Sequence, residues 1–132
     1  MKPIPAGYVG RYAVVPEYKH TAEAIGNIGV KVVSTPHLIG FLEMASHTAL
    51  IPHFEAGEAS VGTRVSIEHV GAAAIGVSVE CEALVKEVRG RRVTFEVIAR
   101  QKGREIMRGT HERALVMLEP FLERLRAEGA QQ

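Results

Sequence analysis

Three side chains of this sequence combine a type suited to acid–base or nucleophilic chemistry with a suggestive position: Thr35, Glu43 and His69. Glu43 stands in the run His37 to Ile51, whose members are mostly apolar. Burial disfavours a carboxylate's charged form and raises its pKa toward the range of a general base. A plainer reading stands beside that one. His47 lies one helical turn further on, and an ion pair or hydrogen bond with Glu43 on one helix face requires no function. His69 closes a strand-like segment and is followed by Val70 and Gly71, where a strand end can aim an imidazole across a neighbouring helix. Thr35 can simply cap the helix that begins there. The same helix end presents unpaired N–H groups and a positive dipole, which together can steady an oxyanion.

Other chemistries find little support. His20, His37, His53 and His111 follow no metal-ligand spacing, and the single cysteine, Cys81, removes the common zinc patterns, so no metal is expected. Cys81 alternates with strand residues and reads as a small buried apolar group. There is no glycine-rich phosphate loop, no Gly-x-Ser-x-Gly elbow and no Cys-His signature. A net charge of +1 gives no basic footprint for nucleic acid; only Arg89, Arg91 and Arg92 cluster, around a turn. Met1 to Arg11 is interrupted by Pro3, Pro5 and Gly7 and lacks the apolar region of a secretory signal, and no window is apolar enough to span a membrane. A cytoplasmic protein is expected.

The elements that must position these residues follow from pattern. At 132 residues, 46% hydrophobic and 23% charged, the chain has the size and composition of one α+β domain, 1–132. Tyr8 to Val15 reads as a strand ended by Pro16, and Glu17 to Val33 as a mobile loop. Ser34 or Thr35 caps a helix with Pro36 in its first turn, and the helix runs to Ile51, where Pro52 stops it. Apolar residues cover most of its circumference, so it should be surrounded on several sides. Ser60 to Val70 reads as a strand. Ile75 to Lys86 alternates with period two, Arg89-Gly90 marks a hairpin, Val93 to Ala99 alternates again, and Lys102-Gly103 marks a second hairpin before a strand from Arg104 to Met117. Phe121, Leu122 and Leu125 suggest a short terminal helix near 119–128. The meander must bury one face, and the apolar helix is the obvious partner.

In this order, Ser34-Thr35-Pro36 through Gly40-Phe41-Leu42-Glu43, Ser60-Val61-Gly62-Thr63 through His69, and Gly109-Thr110-His111-Glu112-Arg113 resemble the fluoroacetyl-CoA thioesterase-like family of hot-dog-fold proteins. The resemblance spans nearly the whole chain. It implies a hot-dog fold, an antiparallel sheet wrapped around a long central helix. It also implies a catalytic set at Thr35, Glu43 and His69 and an acyl pocket lined by Gly62, with Pro36 and Thr63 as neighbouring substrate-binding positions. It further implies a homodimer with sheets joined edge to edge, open to pairing as a dimer of dimers. The fluoroacetyl-specific member carries lid phenylalanines ahead of the threonine, where this chain has Ile25, Gly26, Asn27, Ile28 and Gly29.

The expected activity is hydrolysis of a small acyl-CoA thioester, with coenzyme A as part of the substrate and no cofactor. Glu43 would act as base on water or as nucleophile, His69 would orient and polarise the reacting group, and Thr35 with nearby backbone N–H groups would steady the oxyanion. Thr35 and Glu43 are eight residues apart, roughly 12 Å along one helix, so they cannot touch. Either substrate bridges them, or Thr35 precedes the helix, or one of them comes from a partner subunit. A non-catalytic acyl-CoA binding module is the alternative, since function lives in the site and not in the fold. A hydratase of this fold is disfavoured, because the helix offers Glu43 and His47 in place of an Asp/His pair.

Overall fold

Ser34 sets where the long helix begins. Its backbone is extended (φ −71°, ψ 153°) and its hydroxyl oxygen accepts from the His37 N–H at 3.2 Å, so it is the N-cap of helix α1, Thr35–Leu50. Pro36 occupies the first turn, where its missing N–H is not needed. Pro52 then closes the helix through a short 3₁₀ turn, Ile51–His53. This computed structural model describes residues 1–130; the final two residues of the expected 1–132 domain, Gln131 and Gln132, lie outside the described residues.

Five antiparallel strands wrap the helix: β1 Val9–Val14, β2 Glu58–His69, β3 Val79–Arg89, β4 Arg92–Gln101 and β5 Arg104–Met117. Their order in the sheet is β1-β3-β4-β5-β2, which leaves β2 at one edge. Gly90 (φ 60°) turns β3 into β4, and Lys102 (φ 51°) with Gly103 (φ 75°) turns β4 into β5, the left-handed pair that a tight hairpin needs. Helix α2, Leu118–Ala130, follows β5 directly and continues past Gly129, where the sequence suggested a stop.

The alternation of β3, β4 and β5 converts into a core by putting every second side chain against α1. Val79, Cys81, Ala83 and Val85 of β3 meet Val93, Phe95, Val97 and Ala99 of β4, Ile106 and Met107 of β5, and Leu38, Phe41, Leu42, Ala45, Ala49 and Leu50 of the helix. Burial pushes the Cys81 thiol up to about 12, so it stays an inert thiol. β1 lies close on α1 at Gly10, where a Cβ would come within 2.3 Å of the Ala45 carbonyl oxygen and 2.7 Å of the Ala49 Cβ. Small residues on both elements permit that approach.

Two sequence expectations change. The strand read from Ile75 begins at Val79, because the Gln101 side chain captures the preceding segment: its amide oxygen accepts from the Ala74 N–H and its amide nitrogen donates to the carbonyls of Ala74 and Val77. The segment read as a loop from Glu17 to Val33 holds two 3₁₀ turns, Tyr18–His20 and Glu23–Ile25, and a bridge between Thr21 and Val33. The Glu23 carboxylate accepts from both the Tyr18 hydroxyl and the Gly29 N–H, so the turn is tied internally. The Arg89, Arg91 and Arg92 cluster is consumed at the hairpin by Glu87, the Leu115 carbonyl and Glu112.

Candidate active site

Because Ser34 takes the capping role, the Thr35 hydroxyl is free for another partner. It shares a 2.7 Å hydrogen bond with Nδ1 of His69, the last residue of β2. Both residues are exposed, and Pro36 beside them is exposed as well. This Thr35–His69 pair sits where the positive end of the α1 dipole faces the end of an edge strand.

Glu43 lies two helical turns further along α1, roughly 12 Å away by helix rise, and belongs to a second cluster. The expected pairing with His47 does not occur. One carboxylate oxygen of Glu43 instead meets Arg113 Nη1 of β5 at 3.4 Å. The carboxylate side chain is 41% exposed while the arginine is 9% exposed, so the expected burial of Glu43 is replaced by a buried cation holding a half-exposed anion. Arg113 is anchored on other partners too: Nε donates to the Ser60 hydroxyl at 2.9 Å, Nη2 to the Ser60 carbonyl at 3.2 Å, and Nη1 meets His111 Nε2 at 3.2 Å. Burial pulls the arginine down from its ordinary pKa, and the charge of Glu43 pulls it back. His47 packs near Phe54, its Nδ1 is buried with no hydrogen-bond partner among the described residues, and burial followed by the charge of Arg113 lowers its pKa.

Gly62 belongs to this second cluster. A Cβ there would stand 2.8 Å from Glu43 Oε2, 3.2 Å from His111 Cε1 and 3.5 Å from Arg113 Nη1. The absent side chain is therefore what allows Glu43 to lie against the strand. Thr63, at the irregularity between Gly62 and Arg64, turns the other way: its hydroxyl donates to Glu112, away from both clusters. An open cavity of about 320 Å³ adjoins Glu43, lined by Gly40, Met44, His47, Ser60 and Arg113. A larger cavity, about 540 Å³, lies on the opposite face of the sheet among Glu82, Leu84, Glu96, Ile98 and Arg108, and touches none of Thr35, Glu43 or His69.

The three predicted residues thus form two groups within the chain, Thr35 with His69 and Glu43 with Gly62. Arg113 and His111 escaped the sequence reading of the site, although a signal existed. Both fall on the phase of β5 that carries Met107 and Leu115 toward the core, and a charge on a core-facing phase facing a helix carboxylate marks a buried ion pair.

The family model described as fluoroacetyl-CoA-specific thioesterase matches residues 16–119. The fluoroacetyl-CoA thioesterase of Streptantibioticus cattleyicolor is 38% identical over 96 residues, covering 73% of this chain and 69% of its own. Among solved structures, the fluoroacetyl-CoA thioesterase FlK superposes with a TM-score of 0.91 at 30% identity, covering 96% of this chain and 98% of that one. A Thermus thermophilus thioesterase superfamily member superposes with a TM-score of 0.90 at 27% identity across the whole of both chains. A hot-dog-like protein from Thermanaerovibrio acidaminovorans shares the fold at a TM-score of 0.85 and 21% identity. The match over residues 16–119, with a helix wrapped by five antiparallel strands, makes this chain a member of the fluoroacetyl-CoA-specific thioesterase family with a hot-dog fold.

Proposed function

We propose that the protein hydrolyses a short acyl-CoA thioester to the free acid and coenzyme A at a site assembled from the Thr35–His69 pair and the Glu43–Arg113 pair. The observation that carries the reading is Glu43 itself, a carboxylate with one oxygen anchored by a buried arginine and a side chain open to solvent beside a cavity. A carboxylate so held suits a base acting on water. Thr35, His69 and the N–H groups of the α1 N-terminus face the thioester carbonyl and steady the charge that develops on its oxygen. The leaving thiolate needs little acid help, since a thiol ionises at a pKa of about 8.5.

Separation of the two groups along one helix supports a homodimer. β2 is a twelve-residue edge strand, mostly exposed, with backbone groups free on one side. Antiparallel pairing of two β2 strands about a two-fold axis would bring the β2 end of one protomer toward the middle of α1 in the other. Glu43 then approaches the Thr35–His69 pair of the other protomer, and the distance within one chain ceases to matter. The turn ahead of Thr35 exposes Ile25 and Ile28, at 53% and 83%, where the fluoroacetyl-specific member carries phenylalanines. That difference supports an acyl group other than fluoroacetyl.

The test is free-thiol release from a panel of short and aryl acyl-CoA esters by wild type and Glu43→Gln. Turnover by wild type with a loss of about a hundredfold or more in the variant is expected. Equal rates end this mechanism, and tight binding of acyl-CoA without any turnover establishes the binding module instead.

A further inference from the structure

His111 is 2% exposed on the core-facing side of β5, and its two ring nitrogens are both engaged. Nδ1 lies 2.8 Å from the Arg64 carbonyl oxygen, which can only accept, so Nδ1 carries the proton. Nε2 lies 3.2 Å from Arg113 Nη1, which can only donate, so Nε2 is bare. One tautomer of the neutral ring satisfies both contacts, whereas an imidazolium would set one N–H against another. Phe95 stacks on the ring, with centroids 6.4 Å apart and planes 26° from parallel, and fixes its orientation. Burial, as the leading cause, lowers the pKa of His111 and keeps the ring neutral.

The lengths around Arg113 show what holds it. Its bonds to Ser60 and His111 are 2.9, 3.2 and 3.2 Å, and its contact with Glu43 is the longest at 3.4 Å. Ser60 and His111 therefore hold the arginine from the sheet side, independently of its contact with Glu43. Nη1 is shared between His111 and Glu43, so the histidine's lone pair sets the angle at which that nitrogen meets the carboxylate.

We infer that His111 is a positioning residue for hydrolysis, its neutral Nδ1–H tautomer holding the Arg113 guanidinium in the orientation that aims Glu43. This rests on the thioesterase reading above. It assigns His111 no contact with substrate and no proton transfer.

Two measurements test it together. A long-range ¹H–¹⁵N spectrum of the wild-type histidines at neutral pH should show His111 protonated at Nδ1 and bare at Nε2. Steady-state thiol release should then be compared for wild type, His111→Phe, which keeps the ring stack and loses both nitrogens, and His111→Gln, whose amide oxygen can accept from Arg113. His111→Phe should lower kcat by about tenfold or more with KM within about threefold, because only transition-state alignment is lost. His111→Gln should recover kcat to within about threefold of wild type. An Nε2–H tautomer, an imidazolium, an unaltered kcat in His111→Phe, or an equal loss in both variants would overturn the inference while leaving the hydrolase reading intact. If His111→Phe does not fold, the spectrum and His111→Gln decide the matter. A wild type that releases no thiol from any acyl-CoA removes the hydrolase reading, and this role with it.

Discussion

Replacing Gly62 with alanine adds one methyl at the point where Glu43 meets the strand. The new Cβ would stand 2.8 Å from Glu43 Oε2, so the carboxylate must retreat by roughly half an ångström or more to restore ordinary contact. That oxygen yields easily, since it ends a flexible side chain that is 41% exposed, but the buried His111 ring, 3.2 Å away at Cε1, must also give by a few tenths of an ångström, at a small cost in stability. Gly62 is extended backbone that alanine adopts freely, and alanine is favoured over glycine within a strand by roughly 0.5–1 kcal/mol. The two effects nearly cancel, so the melting temperature should move by no more than about 3 °C. Activity should respond far more. Misplacing a catalytic group by about 1 Å can cost around a hundredfold, so kcat/KM for thiol release should fall by about 10- to 100-fold. The assay is steady-state hydrolysis of the best acyl-CoA ester, with a thermal melt on the same preparation. A double-mutant cycle sharpens it: in a Glu43→Gln background Gly62→Ala should cost little more, because its target has already lost its function. Wild-type kcat/KM in Gly62→Ala, or a full and additive loss in the double variant, would refute the argument that Gly62 acts through Glu43.

Other perturbations separate folding from chemistry. Ser34→Ala removes the N-cap of α1 and should cost about 1 kcal/mol, lowering the melting temperature by roughly 3–5 °C in a thermal scan. Thr35→Ala removes no cap and should leave the melt within about 1 °C while kcat falls by about tenfold or more. Stability should also fall on the acid side in two stages. His20, His47 and His111 all have folded pKa values below 6.5, so unfolding takes up protons once the pH drops beneath that value, and stability declines as pH falls from 6.5 toward 4.5. Below 4.5 the lowered carboxylates Glu58 and Glu112 add to the loss. Chemical denaturation across this range should show that slope, and His111→Gln should make it shallower.

Much of this molecule is legible in its sequence. Ser34 and Pro36 mark the start of α1, Pro52 marks its end, and both hairpins announce themselves through glycines at positions that need a left-handed backbone. Local chemistry dictates these features, so local sequence reveals them. Less legible were features decided by distant partners. The start of β3 depends on Gln101, across a hairpin from it, and alternation alone extended that strand too far. Tyr18, Glu23 and Gly29 tie the turn ahead of Val33 through side-chain hydrogen bonds that no periodicity encodes. At the site, helical spacing offered His47 as the partner of Glu43, but the sheet delivers Arg113, seventy residues on, as a charge already desolvated by the core. Helix rise alone separates Thr35 from Glu43, whereas the pairing of His69 with Thr35 depends on where β2 ends and is encoded in no spacing.

A working site should need both groups, the Thr35–His69 pair from one chain and Glu43 from the other. Glu43→Gln and His69→Ala should each be inactive when prepared alone. Unfolded together and refolded as an equal mixture, they form heterodimers in half of all pairings, and a site shared across the two-fold axis leaves each heterodimer one intact site. Thiol release should then return to about a quarter of the wild-type rate. A mixture that forms heterodimers yet remains as inactive as its parents would contradict the shared site and return all three residues to a single chain.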